Sequence, residues 1–355
     1  MISLIQKSSF LLLGLLLFIS CSKKADQSTH RQADEQVTLR ESPAENKVDV
    51  LVGEKLFTSY RWPPNVYKPI LWPIISAGGS TITRGFPLEP RAGESKDHMH
   101  QVGNWLNYGN VNGFDFWGNG HTGERSPKGG EIMHVGIEKK TEGPGEASLV
   151  TSASWVDPDG SELMKEKTTF HFISRGQVRI IDRIATLWNT SGKPVLFKDT
   201  KEGMFGLRVA RQLELPSKDE GATDDASVNA SVRAHSHPVT GNYRSSEGVT
   251  GEAVWGTRAR WMDLYGKIGE EKVSIVICDH PKNISYPTWW HARGYGLFSA
   301  NPLGAKDFTG GKQELNFSLP PGDSIAFRYR IIIASGEYPA DREVNQLADE
   351  FEKRY

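Results

Sequence analysis

The fold is decided by two runs joined by a short turn: KTTFHF at residues 167–172 and QVRIIDRIATLW at residues 177–188, with Ser174-Arg-Gly176 between them. Apolar and polar residues largely alternate along both runs, which is the pattern of a β-strand with one buried face. A short glycine-containing turn between two such runs indicates an antiparallel hairpin. The next turn, Asn189-Thr-Ser-Gly192, ends the second strand.

Similar runs, bounded by turn residues, recur from Val48 to Ala334. The clearest predicted strands cover residues 132–138, 147–156, 195–198, 205–210, 258–265, 273–278 and 324–333. One helix is predicted at Glu343–Tyr355, after a cap at Asp341, because its apolar residues lie on one stripe. We therefore predict an all-β protein, a large antiparallel two-sheet sandwich with a short C-terminal helix; a propeller or jelly roll is the alternative.

The N-terminus has the composition of an export signal. Lys7 precedes an apolar run over residues 10–19, which is too short to span a bilayer but suits a signal peptide. Ser20-Cys21 follows and resembles a bacterial lipobox, so we expect lipidation of Cys21 and a location as an outer-membrane lipoprotein, facing the periplasm or the cell surface. An ordinary secretory signal is the alternative.

The rest of the chain divides by composition. We assign residues 1–20 to the signal, 21–46 to a polar flexible tether, 47–338 to the sandwich and 339–355 to the helix. The polar stretch at residues 217–251 is predicted to be a long excursion between strands. The 42 basic and 43 acidic residues provide no strong basic field, so nucleic acid is not an expected partner. Cys278 lies in an apolar run and is predicted to be buried.

Candidate site residues begin with His98 and His100 in the run DHMHQVGNWLNYGNVNGFDFW, residues 97–117. Residues two apart on an extended segment share a face, so both imidazoles can point into one cavity. They could serve as acid-base groups, as metal ligands with His134 or His291, or as structural hydrogen-bonding groups. Asn112, in the same run, is a candidate substrate contact.

A second cluster is PTWWHARGYGLF at residues 287–298. His291 is a candidate catalytic residue, and Arg293 could contact hydroxyls or carboxylates of a substrate. Trp289 and Trp290 should face opposite sides of a strand, and either could stack on a sugar ring or pack in the core.

A third cluster is KDTKEG at residues 198–203. Asp199 or Glu202, paired with a histidine, could form an acid and base with separated pKa values. Lys201 and Arg208 could bind or orient an anionic group. A solvated charged turn is the alternative.

Together these motifs resemble a known family. LWPIISAGGSTITRGFP at residue 71, DHMH at residue 97, NVNGFDFW at residue 110, DTKEGMF at residue 199, WGTRARW at residue 255 and the run from Pro287 are similar to the PmoA-like proteins, also called DUF6807, over about Val48 to Ser335. The resemblance implies an exported protein of glycan-degrading bacteria, of unknown function, with a galactose-mutarotase-like sandwich. The family pattern DHxHHRG has Gln101 and Val102 in this chain where it carries histidine and arginine.

Three functions follow as hypotheses. The first is a hydrolase, lyase or epimerase acting on a carbohydrate or glycoside, with His98 or His100 as acid, Glu202 as base and Trp290 as stacking platform. The second is a non-catalytic glycan-binding lipoprotein. The third is an enzyme with a divalent transition metal held by histidines, whereas the first two need no cofactor. In each, the membrane is contacted through the lipid anchor only.

Overall fold

A computed structural model describes residues 35–120, 122–216 and 238–355. These residues form two large antiparallel sheets, with a third sheet of two short strands. The predicted antiparallel two-sheet architecture is confirmed.

The first sheet has nine strands in the order β16-β17-β12-β5-β4-β3-β2-β1-β7. Their bounds are β1 Gln36–Ser42, β2 Lys47–Val52, β3 Lys55–Arg61, β4 Ile70–Ile74, β5 Asn104–Tyr108, β7 Gly143–Pro144, β12 Gly203–Arg208, β16 Trp289–Ala292 and β17 Leu297–Asn301. Strands that are distant in sequence, such as β5 and β12, are therefore neighbours in this sheet.

The second sheet has eight strands in the order β13-β14-β15-β19-β10-β9-β8-β6. Their bounds are β6 Glu131–Thr141, β8 Glu146–Val156, β9 Glu162–Arg175, β10 Val178–Asn189, β13 Asn242–Ser245, β14 Trp261–Ile268, β15 Glu271–Asp279 and β19 Ser324–Ser335. The hairpin predicted from residues 167–188 is the β9–β10 pair, in which Val178 lies opposite Arg175.

The remaining strands and helices are short. They are β11 Val195–Phe197, β18 Phe317–Leu319, the single helical turn α1 Ala305–Phe308, the C-terminal helix α2 Asp341–Arg354, and three turns of 3-10 helix at Pro43–Glu45, Arg211–Leu213 and Gly251–Val254. β11 pairs with β18 outside the two large sheets. The predicted C-terminal helix is present, but it begins at Asp341, two residues before the predicted start. Its cap residue is Ala340 instead of Asp341, and the Ala340 amide donates to the Glu343 carboxylate at 2.8 Å.

The inner faces of the two large sheets pack on each other and form the main core. Aromatic rings bridge the sheets: Phe205 of β12 stacks on Tyr329 of β19, with centroids 4.6 Å apart, and Phe57 of β3 meets Phe172 of β9 edge-on at 6.3 Å. Burial of this apolar surface is the main term that stabilises the sandwich.

The two outer faces are covered differently. Helix α2 lies on the eight-stranded sheet and buries Val344, Ala348 and Phe351 there, as its predicted stripe requires. The outer face of the nine-stranded sheet is covered by loop residues and aromatic rings, among them Trp72, Trp105 and Trp117. The loops carry most of the predicted site residues to this second face.

Two predicted boundaries are wrong. The tether assigned to residues 21–46 ends before Gln36, because β1 pairs with β2 and places Val37 and Leu39 in the core. The sequence of this segment has few apolar residues and was therefore not predicted to form a strand. Two apolar residues on one face, Val37 and Leu39, are enough to bury one side of the seven-residue strand β1. The predicted excursion at 217–251 contains β13, which pairs with β14. Cys21 and the signal segment lie outside the described residues.

No helix in the described parts of the chain is both long enough and apolar enough to span a membrane.

Candidate functional site

A row of four residues crosses the outer face of the nine-stranded sheet. Trp105 lies opposite Gly206, Gly206 opposite Ser299, and Ser299 opposite His291. A Cβ on Gly206 would stand 2.4 Å from the Trp105 ring, so only glycine allows the indole to lie across β12. Gly206 and Ser299 are small, so they form a low surface between the Trp105 indole and the His291 imidazole, here called the floor of the site.

The loop at residues 95–101 is held against this floor by one buried guanidinium. Arg84 donates from Nη1 to the carbonyls of Ser95 and Asp97, and from Nη2 to those of His98 and Gln101 at 2.9 and 3.0 Å. His98 has a φ of 44°, which side-chain-bearing residues rarely adopt. Arg84 compensates that conformation by binding carbonyls on both sides of it.

Asp97 connects this loop to strand β12. Its Oδ1 accepts from Arg84 Nη1 at 2.9 Å and from Arg208 Nη2 at 3.1 Å, while its Oδ2 lies 2.6 Å from His98 Nδ1. Burial raises the pKa of Asp97, but the hydrogen bond from His98 and the charge of Arg208 outweigh it and hold the pKa well below its ordinary value. An ionised Asp97 keeps the proton of His98 on Nδ1.

Gln101 supports the same arrangement. Its Oε1 accepts from Arg208 Nη1 at 2.6 Å, so the residue that replaces the family histidine pairs with the buried arginine. Arg208 thus positions both Asp97 and Gln101. The predicted role of Arg208 in orienting a carboxylate is realised on Asp97 rather than on Glu202.

Tyr295 is the central ring of the site. It stacks on His98, with centroids 5.4 Å apart and an interplanar angle of 10°, and the Arg208 guanidinium lies 4.7 Å from its centroid. Burial raises its pKa. The sequence prediction passed over Tyr295, although it lies two residues after Arg293 in a run that was singled out.

His100 is buried behind His98, with ring centroids 5.7 Å apart and the rings edge-on. Its backbone carbonyl accepts from the buried Lys68 ammonium at 2.6 Å. Burial lowers the pKa of Lys68 to about 7. The two histidines are therefore neighbours as predicted, but His98 is the partly exposed one.

His291 approaches from the other side of the floor. Its Nδ1 lies 2.9 Å from the carbonyl of Lys201, and burial, with added repulsion from Arg293, Lys201 and His98, lowers its pKa to about 3. The imidazole is therefore neutral at physiological pH. Since Nδ1 donates to the carbonyl, Nε2 is unprotonated and can accept a hydrogen bond.

Glu202 lies beside this group. Its carboxylate pairs with Lys201 at 3.1 Å, both side chains are partly exposed, and its charge contributes to the raised pKa of Tyr295. His98 stacks on Tyr295, the Arg208 guanidinium lies over its ring, and the charge of Glu202 acts on it. His100 adjoins His98, and the charge of His98 acts on His291.

A second carboxyl group was missed by sequence reasoning. Glu214 follows the 3-10 turn at Arg211–Leu213 and packs over Gly296, where an added Cβ would stand 3.3 Å from its Cγ. Burial raises its pKa to about 7, against the opposing charges of Arg208 and Arg211. No local pattern marks this residue, because its surroundings come from distant strands.

Three predicted site residues have other roles. The Asp199 carboxylate accepts from the amides of Lys306, Leu315 and Asn316, so it organises a loop. Asn112 accepts from the amide of Leu196 at 2.7 Å and holds a turn against β11. Trp290 is fully buried in the main core, and Trp289 is the half-exposed indole on the outer face with His291.

The metal alternative gains no support from His134. This ring stacks on Trp62 at 4.0 Å and accepts or donates a hydrogen bond at Tyr60, away from His98 and His100. Among the described residues, no three histidine, cysteine or acidic side chains are placed to hold a metal ion.

Comparisons with known proteins give a family and a fold. A family described as of unknown function, DUF6807, matches residues 47–349. No curated protein matches the sequence.

Three solved structures illustrate the likeness in fold. The GH36 α-galactosidase AgaB from Geobacillus stearothermophilus has 11% identity and a TM-score of 0.41, with 84% of this chain and 41% of that chain covered. A galactose mutarotase related enzyme from Lactobacillus acidophilus has 11% identity and a TM-score of 0.28, with 85% of this chain and 97% of that chain covered. A galactose mutarotase-like protein from Clostridium acetobutylicum has 9% identity and a TM-score of 0.35, with 85% of this chain and 99% of that chain covered. The chain therefore spans less than half of the galactosidase.

Proposed function

This chain belongs to DUF6807, a family of unknown function, and we propose from its site that it is an exported lipoprotein that processes carbohydrate by histidine and carboxylate acid-base chemistry. The reaction is a hydrolysis, an elimination or an epimerisation. No cofactor is part of this proposal.

The observation that carries the proposal is the Asp97–His98 pair. A carboxylate that is bonded to two arginines accepts from Nδ1 of a partly exposed imidazole, so Nε2 is the basic nitrogen of His98. This is how a histidine is oriented as a general base or acid. The cost of burying two arginines around one carboxylate is hard to explain by stability alone, because a buried ion pair is often no more stabilising than apolar packing.

Two carboxyl groups are available in addition to His98. Glu202 is partly exposed and paired with Lys201. Burial raises the pKa of Glu214 to about 7, which keeps much of it protonated near neutral pH. A carboxyl group with a raised pKa can act as a general acid. His291 supplies a neutral acceptor for a substrate hydroxyl.

The test is turnover of a panel of oligosaccharides and plant glycosides by the purified protein. His98→Ala is expected to reduce turnover by about two to four orders of magnitude, as for loss of a general acid-base group. His134→Gln is the matched control, since this imidazole contacts Tyr60 and Trp62 instead. Equal rates for His98→Ala and the unmodified protein would refute the proposed chemistry.

Binding without turnover would favour the glycan-binding alternative. The half-exposed Trp289, on the same face as His291, is the observation that supports it. In that case sugar affinity should survive His98→Ala and fall with Trp289→Ala.

Export and anchoring rest on the N-terminal run that ends at Ser20-Cys21. Incorporation of labelled fatty acid into the protein, lost in Cys21→Ser, is the expected result. A Cys21→Ser protein that keeps its label would contradict lipidation at this residue.

A further inference from the structure

An aromatic rim borders the site on the side of His291 and consists of Trp255, Trp289 and Phe308. Trp289 stacks on Phe308, with centroids 6.0 Å apart and an angle of 20°, and Trp255 meets Phe308 edge-on at 5.5 Å. The His291 ring lies 6.2 Å from Phe308. All three rim residues are half-buried, so part of each ring faces solvent beside the imidazole.

Two exposed arginines lie on this rim. The Arg258 guanidinium is 5.1 Å from the Trp289 centroid, and Nε and Nη2 donate to the carbonyls of Pro287 and Ser285. The Arg293 guanidinium lies between two rings, 5.9 Å from Trp255 and 5.8 Å from Tyr295. Such cation–aromatic contacts hold a long side chain in place without using its hydrogen-bond donors.

Arg293 differs in this respect from the other arginines of the site. Arg84 and Arg208 both bind the Asp97 carboxylate. Within the parts of the chain that the structure describes, Arg293 makes no ion pair and its guanidinium no hydrogen bond. The N–H donors of the Arg293 guanidinium are therefore unused by the described residues, at the aromatic rim that adjoins His291.

Both cationic and acidic side chains lie near His291, and they differ in how they are paired. Arg293 and Lys201 both lower the pKa of His291, which places two cationic side chains around that imidazole. Lys201 is paired with Glu202. Another acidic side chain, Glu252, borders the turn after Arg293, where its Oε1 is 2.9 Å from the position of a Cβ on Gly294, but it forms no ion pair with Arg293 among the described residues.

We infer that the site takes saccharides that carry an anionic group, with Arg293 binding that group while a sugar ring stacks on the aromatic rim. A guanidinium binds a carboxylate or a sulfate ester through two parallel N–H donors. Flat indole faces fit the C–H surface of a pyranose. This inference rests on the proposed carbohydrate function and names its substrate class.

The experiment measures binding by titration calorimetry of the purified full-length protein. The probes are a galacturonic acid trimer, the same trimer with its carboxylates methyl-esterified, and a galactose trimer carrying sulfate esters. We expect the free acid to bind at least about tenfold more tightly than the ester, because a charge-assisted pair is lost on esterification. Stronger binding of the sulfated trimer would identify the sulfate ester as the anion.

Variants locate the effect. Arg293→Gln should abolish the preference for the charged trimer over the ester, whereas Arg293→Lys should retain part of that preference because the charge remains. Arg342→Gln, an exposed arginine on helix α2, is the matched control. Equal affinity for acid and ester, or an unchanged preference in Arg293→Gln, would overturn the inference.

The outcome also separates this inference from the proposed function. Turnover of neutral sugars with no dependence on Arg293 would retain the proposed function and remove the anionic specificity. Arg293-dependent binding of the acid without turnover of any sugar would retain the specificity and remove the catalysis.

Discussion

Each outer face of the sandwich contains a buried arginine bound to an aspartate, and the two pairs differ in what surrounds them. On the eight-stranded sheet, Arg330 binds Asp182 through Nε and Nη2 at 2.6 and 2.8 Å, and both side chains are 0% exposed beneath helix α2. On the nine-stranded sheet, Asp97 is 37% exposed and shared between Arg84, Arg208 and His98.

The difference separates a structural ion pair from a functional one. The Asp182 carboxylate is saturated by Arg330 and the Tyr355 hydroxyl, and Arg330 also donates to the carbonyl of Leu347 in α2. This pair attaches the C-terminal helix to the sheet. The Asp97 pair orients an imidazole at a surface that no helix of the described residues covers, which is the arrangement that the proposed function requires.

The largest expected effect is on stability at the covered pair. Asp182→Asn leaves the Arg330 charge buried and uncompensated, so we expect the free energy of unfolding to fall by about 3–5 kcal/mol. Denaturant unfolding measures it. Lys167→Ala, which breaks an exposed pair with Glu138, should cost no more than about 1 kcal/mol and is the control.

Asp97→Asn is the matching substitution on the open face and sharpens the comparison. Because the side chain is 37% exposed and asparagine keeps an acceptor oxygen, we expect a smaller loss of about 1–3 kcal/mol. Carbohydrate turnover should nevertheless fall as far as in His98→Ala. If Asp97→Asn cost as much stability as Asp182→Asn and left turnover intact, the two pairs would both be structural.

A further expected effect is a pH dependence at Glu214. Burial raises its pKa from 4.5 to about 7, so between these values the folded state binds the proton more tightly than the unfolded chain. The contribution of Glu214 to stability therefore falls as pH rises from about 4.5 to 7 and stays constant above. Thermal unfolding across this range should show a smaller decline in Glu214→Gln; an identical decline would refute the shift.

The sequence predicted some residues of the candidate site and missed others, and the difference depends on how far apart in the sequence the interacting residues lie. His98 and His100 are adjacent on one loop, so their proximity followed from local spacing. Their partner Arg208 lies 111 residues from Asp97, and it was found only as a charged residue in a promising run. Glu214 and Tyr295 carried no local signal, because burial and stacking arise from strands that meet only in the folded chain.

Adjacent tryptophans show the same limit of local reasoning. Alternation along β16 required Trp289 and Trp290 to face opposite sides, and they do. Which of them faces the core depends on the position of β16 at the edge of the nine-stranded sheet, and that position places Trp290 in the core and Trp289 on the rim. The assignment of Trp290 as the stacking platform was wrong on this account.

The sequence by itself determined the antiparallel sandwich, the β9–β10 hairpin and the C-terminal helix, because hydrophobic periodicity and turn residues act over a few neighbouring positions. It also determined that histidines, acids and indoles are concentrated in a few runs. Only the tertiary structure decided that Arg84 and Arg208 hold Asp97 against His98, that Asp199 holds a loop instead, and that Arg293 forms no ion pair among the described residues. These outcomes depend on which strands pair, and strand pairing over long sequence separations is set by the packing of the whole core.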